Sequence, residues 1–133
     1  YVMGETVLHV TTEWSHIEIA RLFIDRGADI NAMDDEQSRT PLHYAVLNSQ
    51  YGIAKLLLES GADVNAKDDY ENTAVHYAVW IEHLDMVALL IKHNADVSIM
   101  NNEGPISIRT TKNEKIIKLL EAAMQNGCDT GER

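Results

Sequence analysis

The chain has 133 residues with 11 Lys and Arg against 21 Asp and Glu, a formal charge of −10. One domain's worth of acidic chain argues against nucleic acid, whose binding is dominated by cationic contacts to phosphate. The longest apolar run, Met86 to Ile91, falls far short of the ~20 residues that span a bilayer, and the single cysteine, Cys128, makes no internal disulfide. These features predict a protein of the cytoplasm or nucleus with no membrane insertion.

The elements recur along the chain with a fixed period. Met3 to Thr6 reads as the end of an extended finger entering a helix at TVLH, Thr6 to His9. TPLH at Thr40 to His43 and TAVH at Thr73 to His76 repeat that start, 34 and then 33 residues on. Thr40 before Pro41 places a capping threonine ahead of a proline whose missing N–H costs nothing in a first turn. A second helix follows in each unit, its apolar residues spaced i, i+3, i+4 to face a core. These are Ile19, Leu22 and Phe23, then Ile53, Leu56 and Leu57, then Met86, Leu89 and Leu90. Gly27, Gly61 and Asn94 end these helices, residue types that tolerate a left-handed backbone. GADIN, GADVN and NADVS then open the next finger at the same two offsets.

A unit with one apolar stripe per short helix cannot bury it alone, so the units must stack into a solenoid. TPLHYA (Thr40 to Ala45) and GADVNA (Gly61 to Ala66) carry a resemblance to the ankyrin repeat, which covers nearly the whole chain from Met3 to Met124. The resemblance implies an all-α solenoid of about four stacked helix-turn-helix units with β-hairpin fingers. The units run 3–35, 36–69, 70–102 and 103–124, forming one domain over 1–124. The last unit lacks TPLH but keeps Ile116, Ile117, Leu119 and Leu120, with Lys112, Lys115, Lys118 and Glu121 suiting the wet outer face of a C-terminal cap. Residues 125–133, carrying Gly127 and Gly131, are expected to fray. No polar capping unit precedes Tyr1, so either residues are missing there or the first unit's outer face is covered by something else; a fragment is the favoured reading.

Six histidines invite a metal or catalytic reading. Three of them, His9, His43 and His76, share one repeat position, and stacked helices ~8–10 Å apart cannot readily bring them within ~2.1 Å of one ion. The resemblance implies that they bond the neighbouring threonines Thr6, Thr40 and Thr73 and hold the turns. His16 and His83 read as loop packing, and His93 lies where a helix end favours positive charge. No phosphate-cradling glycine motif and no H-E-x-x-H occurs. The expectation is a non-catalytic protein with no cofactor and no metal.

The resemblance places binding on the fingers and on the inner face of the first helices. The two positions after the small pair of each first helix are Glu13 and Trp14, Leu47 and Asn48, then Trp80 and Ile81. Large aromatics and contiguous apolar patches mark interfaces, so Trp14, Leu47, Trp80 and Ile81, with Asn48 and Tyr70, are the candidate anchors. Asp34, Asp35, Asp68, Asp69 and Glu71 form a candidate charged rim on the finger tips, as residues 1–101 hold 16 acidic and 6 basic side chains. The partner expected is another protein with a basic edge and an apolar anchor, bound by a monomer. The alternative is a regulatory or targeting part of a larger enzyme, channel or secreted effector.

Overall fold

The computed structural model describes the backbone of residues 17–34, 37–97, 100–101, 104–105 and 111–131, and the side chains of 17–34, 37–97 and 111–124. Among these residues six helices follow one another: α1 (Ile17–Asp25), α2 (Pro41–Leu47), α3 (Tyr51–Glu59), α4 (Ala74–Trp80), α5 (Leu84–Lys92) and α6 (Glu114–Gly131). Strands β1 (Met100–Asn101) and β2 (Gly104–Pro105) pair antiparallel. Thr6, His9 and Trp14, and Asp35 in the first finger, lie outside the described residues.

Local chemistry sets the ends of each helix. Thr40 and Thr73 are extended N-caps of α2 and α4, and each closes a capping box with the histidine three residues on. Pro41 occupies the first turn of α2, where its absent N–H leaves no bond unmade. His83 caps α5, its ring nitrogen accepting from the Met86 N–H at 3.2 Å. The exits of α1, α3 and α5 fall on Gly27, Gly61 and Asn94 at φ 88°, 100° and 70°. That backbone crowds a Cβ, so glycine or asparagine is the fitting choice.

Pairing α2 with α3 and α4 with α5 builds one continuous core. Leu42, Leu57, Val75, Met86 and Leu90 are fully buried within it, and Ile116 and Leu120 of α6 close it at the C-terminal end. The outward residues of α6, Lys115, Lys118 and Glu121, are exposed, as is Lys112 just before it. The first helices α2 and α4 approach each other more closely along their length than the second helices α3 and α5 do.

Three features depart from the sequence reading. Ile53, Leu56 and Leu57 face the core as expected, but in α1 the corresponding Ile19 and Leu22 are 43% and 46% exposed, because no described helix packs on that side of α1. The finger at 68–72 is a turn with no strand, whereas at the following finger Met100–Asn101 and Gly104–Pro105 pair as a short antiparallel hairpin. The 68–72 turn is closed by two backbone bonds, Asp68 N–H to Asn72 O at 3.1 Å and Glu71 N–H to Asp68 O at 2.9 Å, and in the preceding finger the Asp34 N–H bonds Arg39 O at 3.0 Å. The backbone of α6 is helical to Gly131, past Met124.

Candidate functional site

In two successive units one carboxylate joins the finger to the first helix. Asp34 and Asp68 precede the turn, and Oδ1 of each accepts two backbone N–H groups of its own finger. For Asp34 these are Gln37 and Arg39, both at 3.1 Å; for Asp68 they are Tyr70 at 2.9 Å and Asn72 at 3.0 Å. The other oxygen accepts a tyrosine hydroxyl from the following helix, Tyr44 for Asp34 and Tyr77 for Asp68. Both carboxylates are 4% exposed. This corrects the reading of Asp34 and Asp68 as charged rim residues: they face inward because three donors, two on the finger and one on the helix, need an acceptor there. Of the remaining rim residues, Asp69 and Glu71 are exposed, and Glu71 pairs with Lys67 at 3.0 Å.

The repeated histidines complete the same scaffold. His43 Nδ1 accepts the Thr40 backbone N–H at 3.0 Å, which puts the ring proton on Nε2, and Nε2 donates to Asn72 O of the next finger at 3.0 Å. His76 Nδ1 accepts the Thr73 N–H in the same way, also at 3.0 Å. Burial holds the His43 pKa below the usual histidine value, so the ring stays neutral in the fold. Neighbouring fingers are also linked directly, by the Asp69 N–H bonded to Gln37 O at 2.9 Å.

Against this scaffold the end of α4 stands out. Trp80 is 41% and Ile81 39% exposed, while the equivalent Leu47 is half-buried and Asn48 exposed. The Trp80 ring rests edge-on against Tyr77, with centroids 5.5 Å apart, and tilted over His76 at 6.1 Å. The Arg39 guanidinium also lies over the Tyr77 ring, 5.4 Å from its centroid, with Nη2 donating to the Tyr77 hydroxyl at 3.3 Å. Burial and the bond to Asp68 raise the Tyr77 pKa, so the hydroxyl keeps its proton. Tyr77 thus contacts two groups that reach the surface, Trp80 and Arg39. Tyr70, 50% exposed, lies on the finger, about 10 Å of helix away from Trp80.

The structure therefore brings together Trp80 and Ile81, and holds Tyr70, Asp69 and Glu71 on the neighbouring finger. Leu47 and Asn48 stand at the same height one unit away. Sequence reasoning missed Tyr44 and Tyr77, and took Arg39 and Asn72 only as finger residues. A signal for the tyrosines was present: a Tyr follows the histidine in both TPLHYA and TAVHYA, each with an aspartate nine or ten residues before it. Among the described residues no group of three or more His, Cys, Asp or Glu is disposed to hold a metal, and no helix is long and apolar enough to cross a membrane.

Comparison with known proteins gives the same architecture. Residues 2–68 and 50–91 match families of ankyrin repeats. Human B-cell lymphoma 3 protein is 32% identical over 129 residues, covering 97% of this chain and 28% of its own length. The NF-kappa-B inhibitor cactus of Drosophila melanogaster is 46% identical over 43 residues, 32% of this chain and 9% of its own. An ankyrin repeat protein of fowlpox virus is 31% identical over 112 residues, 84% of this chain and 26% of its own. The chain spans less than a third of the length of each of these relatives.

Proposed function

Because the chain belongs to the ankyrin repeat family, we propose that it is a non-catalytic module that binds a segment of another protein along its concave face. The observation that carries this reading is the exposure of Trp80 and Ile81 at the end of α4, against the half-buried Leu47 at the equivalent position. An aromatic held rigid by Tyr77 and His76 loses little freedom on binding and suits an interface hot spot. Tyr70 and Asn48 extend the contact, and Asp69 and Glu71 meet a basic edge on the partner. One relative is named as an inhibitor of NF-kappa-B, which supports a protein as the ligand class. The chain acts as a monomer inside the cell, and needs no cofactor.

A second reading is favoured by one observation, the length of the relatives: the chain is the regulatory or targeting part of a larger enzyme, channel or effector. Affinity capture from the native cell lysate separates the two, comparing the wild type with a Trp80→Ala, Ile81→Ala variant that circular dichroism finds folded. A partner kept by the wild type and lost by the variant supports the concave site. Equal retention by both removes Trp80 and Ile81 from the interface. Capture of a catalytic or channel subunit by both favours the second reading.

A further inference from the structure

Arg39 departs from the repeat that its neighbours keep. The residue in register with it one unit on is Asn72, whose side chain donates to the hydroxyl of Tyr77 in its own unit at 3.3 Å. Arg39 instead reaches out of its own unit to that same hydroxyl, also at 3.3 Å, and lays its guanidinium over the Tyr77 ring. Tyr77 does not depend on it, because the hydroxyl already donates to Asp68 and accepts from Asn72. Arg39 Nε stands 3.8 Å from Asp68 Oδ2, beyond hydrogen-bonding distance, and that carboxylate takes three other donors.

Trp80 is a second departure at the same ring, standing where the preceding unit has Leu47. The Arg39 Cζ lies 5.4 Å and the Trp80 ring 5.5 Å from the Tyr77 centroid, so the cation and the exposed indole are within about 11 Å of each other. Both reach solvent, the Arg39 side chain at 24% and Trp80 at 41%. A guanidinium presents five donors in a planar fork whose geometry matches a carboxylate. An open aromatic close to it takes an apolar side chain.

We propose that Arg39 is a specificity-determining residue of the surface around Trp80, selecting a partner segment that carries an Asp or Glu two to four residues from its apolar anchor. This rests on the reading of Trp80 as a docking residue. Side chains on one face of an extended segment lie about 7 Å apart at i, i+2, and those of a helix about 6 Å apart at i, i+4. The reach of the acidic side chain and of Arg39 closes the remainder. Basic residues elsewhere in the segment face the exposed Asp69 and offset its repulsion of the incoming carboxylate. Lysine at position 39 would keep the charge but lose the fork.

A displayed library of random twelve-residue peptides, panned on the 133-residue chain, supplies the probes. Binders that Trp80→Ala loses are expected to share an Asp or Glu two to four residues from an apolar residue. For one such peptide, changing the carboxylate to its amide is expected to weaken binding to the wild type at least about tenfold, and to Arg39→Gln less than about twofold, with Arg39→Lys between them. Fluorescence anisotropy reads the affinities, at a temperature where urea unfolding finds each variant folded; should Arg39→Gln fail to fold, Arg39→Lys carries the comparison. Equal losses from the amide change in wild type and variant, or Trp80-dependent binders with no acidic position, overturn the role of Arg39 and leave Trp80 as the anchor. The absence of any Trp80-dependent binder overturns the surface itself, and the proposal with it.

Discussion

Replacing Asp68 by alanine removes an acceptor around which a finger and a helix are both built. The carboxylate is 4% exposed and takes the N–H groups of Tyr70 at 2.9 Å and Asn72 at 3.0 Å on one oxygen, and the Tyr77 hydroxyl on the other. Tyr70 is exposed and its N–H turns to water at little cost. Asn72 and Tyr77 are buried, and each donor left unpaired costs about 1–3 kcal/mol. The Arg39 guanidinium, 3.8 Å away and partly exposed, is screened by solvent and adds little. Asp68→Ala is thus expected to lose about 2–6 kcal/mol, a large part of the ~5–15 kcal/mol that holds a domain of this kind. Asp68→Asn keeps the Oδ1 acceptor and loses the other, for about 1–3 kcal/mol. Asp69→Ala, at the next, exposed residue, stays within about 0.5 kcal/mol. Urea unfolding followed by circular dichroism measures all three. Equal midpoints for Asp68→Ala and Asp69→Ala would refute the buried-acceptor reasoning.

Acid adds a second check. The folded pKa of His43 lies below its unfolded value, so the unfolded chain takes up a proton first; stability is full above about pH 6.5 and falls as the pH drops below it, by up to about 1.4 kcal/mol per pH unit. Urea midpoints measured from pH 8 to 5 check this, and a flat profile would count against a neutral His43 in the fold. At Ser49, exposed at φ 56°, glycine is expected to stabilise by about 0.5–1 kcal/mol by relieving left-handed crowding, read as a rise in thermal midpoint. Leu56→Ala should cost about 2–4 kcal/mol and Leu22→Ala less than about 1 kcal/mol, a contrast in urea midpoints that follows from their 7% and 46% exposure.

Much of the fold was legible because repetition reads each position several times. Thr40 and Thr73, His43 and His76, and Gly27 and Gly61 appear at a constant offset, and capping and left-handed exits demand those residue types. What repetition could not convey is the identity of a neighbour. Leu22 and Leu56 carry the same letter in the same stripe, and only the presence of α1 beside α3 separates them. The finger acids were misread for a related reason. Asp34 and Asp68 sit beside Asp35 and Asp69 in pairs that composition treats as equal, whereas the turn directs the first of each pair toward Tyr44 or Tyr77.

That difference between paired aspartates shows how a repeat divides labour between fold and partner. A position whose side chain closes the same bonds in successive units, as Asp34 and Asp68 do, is held by the scaffold, and changing it is felt as lost stability. Position 47 in one unit and 80 in the next follow another rule. Leucine there is half-buried and packs on the core, whereas tryptophan at the same height rests on Tyr77 and leaves 41% of its surface open. The scaffold accepts both, so it does not select the tryptophan for packing alone. Tyr77 stands between the two regimes. Its hydroxyl is tied to Asp68 and its ring props Trp80, so Tyr77→Phe, which removes the hydroxyl and keeps the ring, isolates them. It is expected to cost about 1–3 kcal/mol in urea unfolding through the stranded carboxylate, while binding through Trp80 at a temperature where the fold persists stays unchanged. Binding lost together with stability would mean that the tryptophan serves the fold after all.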